Sequence, residues 1–449
     1  MEKLENLNHY QTNIIGGGKV IILDTGAVIG PESSAMLQAL HSRSTGGLEN
    51  HLKILADKGP ENFMKNFYVG YGHKSIGDCG SISIFVEGVS MLVAKAIQDW
   101  PLYSGQESST RYVDFKIQPF KNPLKTKEGE NILENWRKFY SESMEQTKEY
   151  LKSRFPKGDD ESENIYNKAI SARAFDTLRG FLPAGATTNL AWHTNLRQAA
   201  DKIAILRHSP IEEVRNASKA IEETLKKAYP NSFNHEIFET TENYNQYWME
   251  GDYYYHNPKC PDFKMTNNSI NINLLKKDIL EKRPMKTELP KYLAEAGTIQ
   301  FEFLLDFGSF RDLQRHRSII QRMPLLTIEL GFENWYLDEL PKDIKSKAEQ
   351  LLIMQSENIN KLKISKEEKQ YYIPMGYKIS NRITGGLPSF VYIVELRATR
   401  FVHPTLRKRA KQIADKLSES FGKFGLVLHI DKEIDRFDIK RGEHDIILK

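Results

Sequence analysis

Residues 70–112 read GYGHKSIGDCGSISIFVEGVSMLVAKAIQDWPLYSGQESSTRY and place an apolar segment between two polar motifs. Polar and apolar residues alternate from Ser81 and then give way to an apolar stretch that ends at Ile97. Alternation is typical of a half-buried strand, and a longer apolar run is typical of a buried helix. The segment therefore predicts a strand that runs into a helix, with polar motifs before and after it.

The composition is that of an ordinary globular protein. The chain has 449 residues, 40% of them hydrophobic and 27% charged, and ~150 residues per domain predicts two or three domains. A net charge of +4 is too small to indicate a nucleic-acid or membrane partner. Two cysteines cannot form a disulfide framework, and no apolar run reaches the roughly 18 residues of a membrane span. We therefore expect a soluble, cytoplasmic protein.

Elements outside this segment follow from periodicity. Lys19–Asp24 is predicted as a strand and Pro31–Arg43 as a helix. An amphipathic helix is predicted over 132–155. The stretch 229–272 is rich in aromatic residues and asparagine with little periodicity, which predicts a connection between two halves. His256 and Cys260 in this stretch lack a second pair of ligands, so no metal site is predicted.

Two polar motifs flank the apolar segment. The first gathers His73, Ser75 and Asp78. In the second, Glu107, Ser109 and Arg111 alternate and would face one side of an extended segment. A carboxylate, a hydroxyl and a guanidinium on one face suit a polar ring and a phosphate. They equally suit a capped loop with a salt bridge, and spacing alone leaves both interpretations open.

Arginines mark two further motifs. LRGFLP and TNLAWHTNLR supply Arg179, Asn195 and Arg197 in mainly apolar surroundings, where an unpaired charge is costly. Arg315, His316 and Arg317 follow an apolar segment. Such a triplet crowds like charges unless an anion such as a diphosphate lies against it. Basic tripeptides are also common at helix ends, so the triplet alone is a weak signal.

Taken in order from residue 70 to residue 216, these motifs resemble the flavin-dependent thymidylate synthase family. The matching stretches are GHKSIGD, ESSTRY, RGFLP, WHTNLR and the Leu-Arg pair that ends at Arg207. The family also carries Arg-His-Arg before the Glu-x-Ser-x-Arg motif, but those positions hold Asp99, Trp100 and Pro101 here. Asp78 and Cys79 likewise replace the Glu and the second His of the upstream element.

The second half resembles the same family in a complementary way. It keeps Arg-His-Arg at 315–317 and a Leu-Arg pair that ends at Arg397, but Met323 and Leu325 replace the Glu and the Ser. We therefore infer an internal duplication with reciprocal loss. The predicted domains are 1–228 and 273–449, joined by 229–272. The resemblance implies an α/β fold in which helices pack around antiparallel sheets.

The resemblance also implies a reaction and its site. The reaction is methylation of dUMP to dTMP, with FAD as cofactor, methylenetetrahydrofolate as carbon donor and NADPH as reductant. Arg397 and Ser109 would be catalytic, with Arg207 as the competing candidate for the activating arginine. The implied substrate-binding residues are Glu107, Ser109, Arg111, Arg179 and Arg207. The implied cofactor-binding residues are His73, Ser75, Asn195, Arg197, Arg315, His316 and Arg317.

In the family, one site is shared between subunits, so a composite site between the two halves and a dimer of tandem chains are expected. Two alternatives stay open. One is flavin-dependent modification of another pyrimidine nucleotide or with another one-carbon unit. The other is a non-catalytic relative that binds nucleotide or flavin.

Overall fold

A computed structural model describes residues 9–23, 29–43, 47–70, 72, 74–108, 110, 113–159 and 161–433. The strands are β1 His9–Asn13, β2 Lys19–Leu23, β3 Ser81–Ser90, β4 Ser104–Glu107, β5 Thr187–Asn195, β6 Tyr254–Tyr255, β7 Phe263–Asn268, β8 Ile299–Asp306, β9 Ile320–Gln321, β10 Met323–Pro324 and β11 Lys378–Gly385. The α-helices are α1 Pro31–Arg43, α2 Gly47–Lys58, α3 Glu61–Phe63, α4 Lys74–Gly77, α5 Met91–Gln98, α6 Lys127–Arg154, α7 Glu163–Leu178, α8 Leu196–Leu206, α9 Glu212–Ala228, α10 Glu239–Asp252, α11 Lys277–Glu281, α12 Phe307–Leu313, α13 Asn334–Asp338, α14 Lys342–Lys361, α15 Lys366–Lys369, α16 Leu387–Arg397 and α17 Pro404–Phe421. A π-helix spans Met64–Gly70, and 3₁₀ turns span Arg179–Phe181, Ile272–Leu274, Lys291–Ala296, Gln370–Tyr372 and Gly422–Phe424.

The chain divides into two compact units, each built from two stretches of sequence. The first unit contains 1–113 and 186–253, and the second contains 114–185 and 254–449. The boundaries predicted from the sequence were different, because α6 and α7 group with the later part of the chain. The stretch 229–272 contains α10 and β7. Helix α10 was not predicted because Met249 is its one buried residue among those described. A helix with one buried residue shows no periodic pattern of apolar residues.

Each unit is built on an antiparallel sheet. The first sheet has the strand order β1-β2-β3-β5-β4, and the second has β7-β8-β11-β9. The predicted α/β fold with helices and antiparallel sheets is therefore confirmed. No helix in the described part of the chain combines the length and the apolar character needed to cross a membrane.

The quoted segment forms the strand and helix that its periodicity predicts. Every second residue of the first part of β3 is buried, and all of α5 is buried. Ser90 ends the strand and caps the helix, because its hydroxyl accepts a hydrogen bond from Val93 N–H at 3.3 Å. Asp306 does the same between β8 and α12, accepting from Ser309 N–H at 2.9 Å. A polar cap at the strand end thus turns the chain sharply into a helix in both units.

The order of elements in the first unit recurs in the second. The series β3-α5-β5-α8-α9 has its counterpart in β8-α12-β11-α16-α17, and β3 pairs with β5 as β8 pairs with β11. Equivalent side chains meet as well. Gln98 donates to Glu107 at 2.9 Å, and Gln314 lies 3.8 Å from Met323 Sδ. This recurrence supports the proposed duplication and places Met323 at the position of Glu107.

The turns before β5 and β11 also pair with each other, within the second unit. Ala184 N–H donates to Ile373 C=O at 3.0 Å, and Met375 N–H donates to Leu182 C=O at 2.9 Å. The two donors are as far apart in the sequence as the two acceptors are. The two bonds are therefore reciprocal, as expected for two copies of one turn.

Candidate functional site

A cavity of about 640 Å³ in the second unit gathers the Arg-His-Arg triplet and Arg397, which were predicted from the sequence. It is lined by Lys291, Arg315, His316, Arg317 and Arg397, which together define the cation cavity. Among the described residues that line the cavity, Glu288 is the single acid. Tyr392 contributes an aromatic ring to the cavity wall. Four cationic side chains against one carboxylate leave an excess of positive charge, so the cavity suits an anionic ligand.

The positions of α12 and α16 explain how the cavity forms. Strands β8 and β11 are antiparallel neighbours, and a helix follows each of them directly. The two helices therefore start at opposite ends of the strand pair. Because α16 extends roughly 16 Å at 1.5 Å per residue, its last residue, Arg397, reaches the segment that follows α12. The Arg-His-Arg triplet lies in that segment.

Two acceptors, one in this segment and one near the end of α12, hold the Arg397 guanidinium. Arg397 Nε donates to His316 Nε2 at 2.8 Å, and Arg397 Nη2 donates to Asp312 C=O at 3.0 Å. Burial and the nearby charge of Arg397 lower the pKa of His316 to about 3. His316 is therefore a neutral ring at physiological pH, and the triplet consists of two cations around a neutral acceptor.

Asp312 is a residue of this site that the sequence interpretation missed. Burial alone would raise the pKa of its carboxyl, but the charges of Arg179, Arg315 and Arg397 outweigh burial and lower it. Its carboxylate lies 3.7 Å from Arg315 Nε. An acid one helical turn before a basic triplet is a signal that could have indicated it. Lys291 and Tyr392 offered no such local signal, because they reach the cavity from separate elements.

Arg179 belongs to the second unit but does not line the cation cavity. It is buried, with Asp176 at 3.9 Å. Burial lowers its pKa, but Tyr336 and the charges of Asp176, Asp312 and Asp306 outweigh burial and raise it. Arg179 therefore acts as the counter-ion of a buried acidic cluster. Its predicted contact with a nucleotide phosphate stays a prediction.

The predicted residues of the first unit are paired within that unit. Lys95 Nζ lies 2.9 Å from Glu107 Oε2, and both side chains are fully buried. Asn195 caps α8 by accepting from Gln198 N–H at 2.8 Å. Arg197 lies 3.1 Å from an oxygen of Asp78.

Ser75 is exposed, and its carbonyl accepts from the Cys79 thiol at 3.8 Å. His73, Ser109 and Arg111 lie outside the described residues. Whether Glu107, Ser109 and Arg111 face one side therefore stays a prediction, and so does the nucleotide-binding role of this motif.

Arg207 and Arg397 occupy different electrostatic environments. Arg207 lies 3.4 Å from Glu222 and 3.4 Å from Glu242, so two carboxylates share its charge. Arg397 is held by a neutral imidazole and a carbonyl. The hydrogen-bond acceptors of Arg397 are therefore uncharged, and the nearby Asp312 carboxylate offsets its charge less directly than the two contacting carboxylates offset that of Arg207.

In the first unit, side chains of α8 contact the residues at the Arg-His-Arg positions. Lys202 Nζ donates to Asp99 C=O at 2.7 Å, and Trp100 Nε1 donates to Gln198 at 2.9 Å. Burial lowers the pKa of Lys202 to about 8, although the nearby Asp99 opposes this shift. Buried Lys202 supplies the positive charge in this region, where the second unit has its cavity.

Part of the chain matches a known protein family. Residues 29–231 match the family model described as thymidylate synthase complementing protein. This part of the chain is therefore similar to that family. The resemblance found in the motifs is confirmed, and the matched range contains the GHKSIGD, ESSTRY, RGFLP and WHTNLR stretches.

Similar proteins extend the comparison to most of the chain. A UPF0159 protein from Chlamydia muridarum is 24% identical over 93% of this chain and 92% of its own length. A UPF0159 protein from Chlamydia pneumoniae is 24% identical over 85% of this chain and 82% of its own. A third, from Thermoplasma acidophilum, is 22% identical over 80% and 86%. The two-unit chain therefore has relatives of similar extent.

Two buried histidines predict an acid-labile second unit. The pKa of His316 is lowered to about 3, and burial, reinforced by Arg179, holds the pKa of His403 well below its usual value. Below pH ~6.5 the unfolded chain takes up a proton at each position and the folded chain does not. We expect the free energy of unfolding to fall by ~1.4 kcal/mol per pH unit for each histidine.

The measurement is denaturant unfolding at pH 7.5 and pH 5.5, with His316→Gln as the comparison. Between these two pH values, the two histidines lower the free energy of unfolding of the parent chain. In the Gln variant this lowering should be about half as large. An equal pH dependence in both proteins would show that His316 takes up a proton as readily in the folded chain as in the unfolded chain, and would contradict the prediction.

Proposed function

We propose that this protein methylates dUMP to dTMP, using FAD, with methylenetetrahydrofolate as carbon donor and NADPH as reductant. The observation that carries the proposal is the cation cavity, in which cationic side chains outnumber acids and Arg397 donates to the imidazole of the Arg-His-Arg segment. The match of residues 29–231 to the thymidylate synthase complementing protein family supports it.

The cavity fits the anionic part of FAD by its donor set. Arg315, Arg317 and Lys291 supply guanidinium and ammonium donors for a diphosphate. Tyr392 is 44% exposed and offers an apolar face to a planar ring. When bound and reduced, FAD would supply the electrons for the reaction.

The residues of the chain have separate tasks in this proposal. Arg397 stabilises negative charge on the N3 and carbonyl edge of the uracil, which makes C5 nucleophilic. Ser109 and Arg111 bind the nucleotide and its phosphate. Glu107, paired with buried Lys95, holds the end of β4 that precedes them. We propose a composite site of this kind, formed by residues from both halves of the sequence.

The second candidate, a non-catalytic nucleotide- or flavin-binding relative, is favoured by one observation. Asn195 and Arg197, which the resemblance implies as flavin contacts, are engaged as a helix cap and as the partner of Asp78. The absorbance spectrum of the purified chain and an assay for thymidylate separate the candidates. Bound flavin without turnover would favour the second.

Flavin binding is expected to depend on the two flanking arginines of the triplet. Replacing Arg315 or Arg317 with Ala should raise the Kd for FAD by about 10- to 150-fold, because a hydrogen bond to a charged group contributes ~1.5–3 kcal/mol. The measurement is titration of the apoprotein with FAD, followed by absorbance. Lys347→Ala is the matched control, because it removes a positive charge from an exposed position on α14. It should leave the Kd unchanged. Equal affinities in all variants would place the flavin elsewhere.

A further inference from the structure

The contact between Arg397 and His316 has a fixed donor direction. A guanidinium carries N–H donors and no acceptor. Since Arg397 Nε lies 2.8 Å from His316 Nε2, that ring nitrogen accepts the hydrogen bond and carries no proton. The remaining proton of the neutral ring is therefore on Nδ1. His316 is 4% exposed, so water cannot readily replace it as the acceptor.

The charges around His316 favour the same protonation state. Arg315 and Arg317 flank it in sequence, Arg397 approaches from α16, and Lys291 lines the same cavity. The acids that face the group are Asp312 on α12 and Glu288 at the cavity wall. The Tyr392 ring packs against the imidazole, with ring centroids 6.0 Å apart and the ring planes at 70°. Cations outnumber acids around the ring, so a second proton would be repelled.

We propose that His316 is a positioning residue: a neutral hydrogen-bond acceptor that orients the Arg397 guanidinium without cancelling its charge. This differs from the role of a third cation for an anionic ligand. A carboxylate could also hold an arginine, but it would neutralise it. The first unit shows that alternative: Trp100 stands at the histidine position, and Glu222 and Glu242 hold Arg207.

The assignment predicts opposite outcomes for two substitutions. His316→Gln keeps a neutral acceptor at a similar distance, and His316→Lys keeps a positive charge without an acceptor. As a positioning residue, His316 should tolerate Gln with a loss in kcat below about 10-fold. His316→Lys should lose about 100-fold or more, like the loss of an electrostatic donor to the reacting group. If Lys retains activity and Gln loses it, His316 acts as a cation and the proposal is overturned.

The activity readout rests on the proposed function, so a second measurement is independent of turnover. In protein labelled with ¹⁵N-histidine, NMR at pH 6 should show His316 with a protonated Nδ1 and an unprotonated Nε2. The signal is assigned by its loss in His316→Gln or, if that variant does not fold, by its displacement in Arg397→Lys. An imidazolium at pH 6, or a proton on Nε2, would overturn the proposal. If wild-type protein makes no thymidylate, the proposed reaction fails and the NMR result still decides the role of His316.

Discussion

Arg397→Ala is expected to lower kcat for thymidylate formation by about 100- to 1,000-fold, the usual loss when one preorganised donor to developing charge is removed. The physical reason is that Arg397 lies in the cation cavity and, among the described residues, donates to two neutral acceptors, the His316 ring and the Asp312 carbonyl. Its positive charge is therefore available to the ligand. The measurement is steady-state conversion of dUMP to dTMP at saturating folate and reductant.

Arg207→Ala is the matched comparison for this experiment. Both arginines end a Leu-Arg pair at the C-terminal end of equivalent helices, but Glu222 and Glu242 compensate Arg207. We expect its kcat to fall far less than that of Arg397→Ala. An essential Arg207 together with a dispensable Arg397 would contradict the proposed composite site. Arg397→Lys adds a second test, because Lys keeps the charge but loses the planar donor fork.

Arg179→Met is expected to destabilise the second unit by about 3–5 kcal/mol, the cost of leaving a buried charge without its partner. Arg179 is buried beside Asp176, Asp306 and Asp312. Asp306 is itself fully buried and accepts hydrogen bonds from Tyr336 at 2.7 Å and from Thr405 at 2.5 Å. The measurement is the free energy of unfolding from denaturant titration at pH 7.5.

A second substitution distinguishes this structural role from the phosphate role predicted for Arg179. Combining Arg179→Met with Asp176→Asn should recover part of the lost stability, because it removes one uncompensated acid. A pure phosphate-binding role predicts the opposite pattern. Stability would then be unchanged, and only the KM for dUMP would rise.

Local sequence was sufficient for several elements and for the motifs. Alternation followed by an apolar run from Ser81 predicted β3 and α5, and 31–43 was predicted as α1. The family resemblance followed from the order of short motifs and is confirmed for residues 29–231. The strand, the helices and each single motif depend on neighbours within about ten residues, which is the range over which periodicity and capping operate.

The tertiary structure decided the features that depend on distant partners. Both Arg207 and Arg397 end a Leu-Arg pair, and nothing in those pairs shows that carboxylates from two other helices hold the first and a neutral imidazole holds the second. The neutral state of His316 follows from its burial and from an arginine 81 residues away. The sequence by itself determined which residues form the motifs. Only folding determined their charge states and partners, because solvent exclusion and contacts distant in sequence set the energies of ionised side chains.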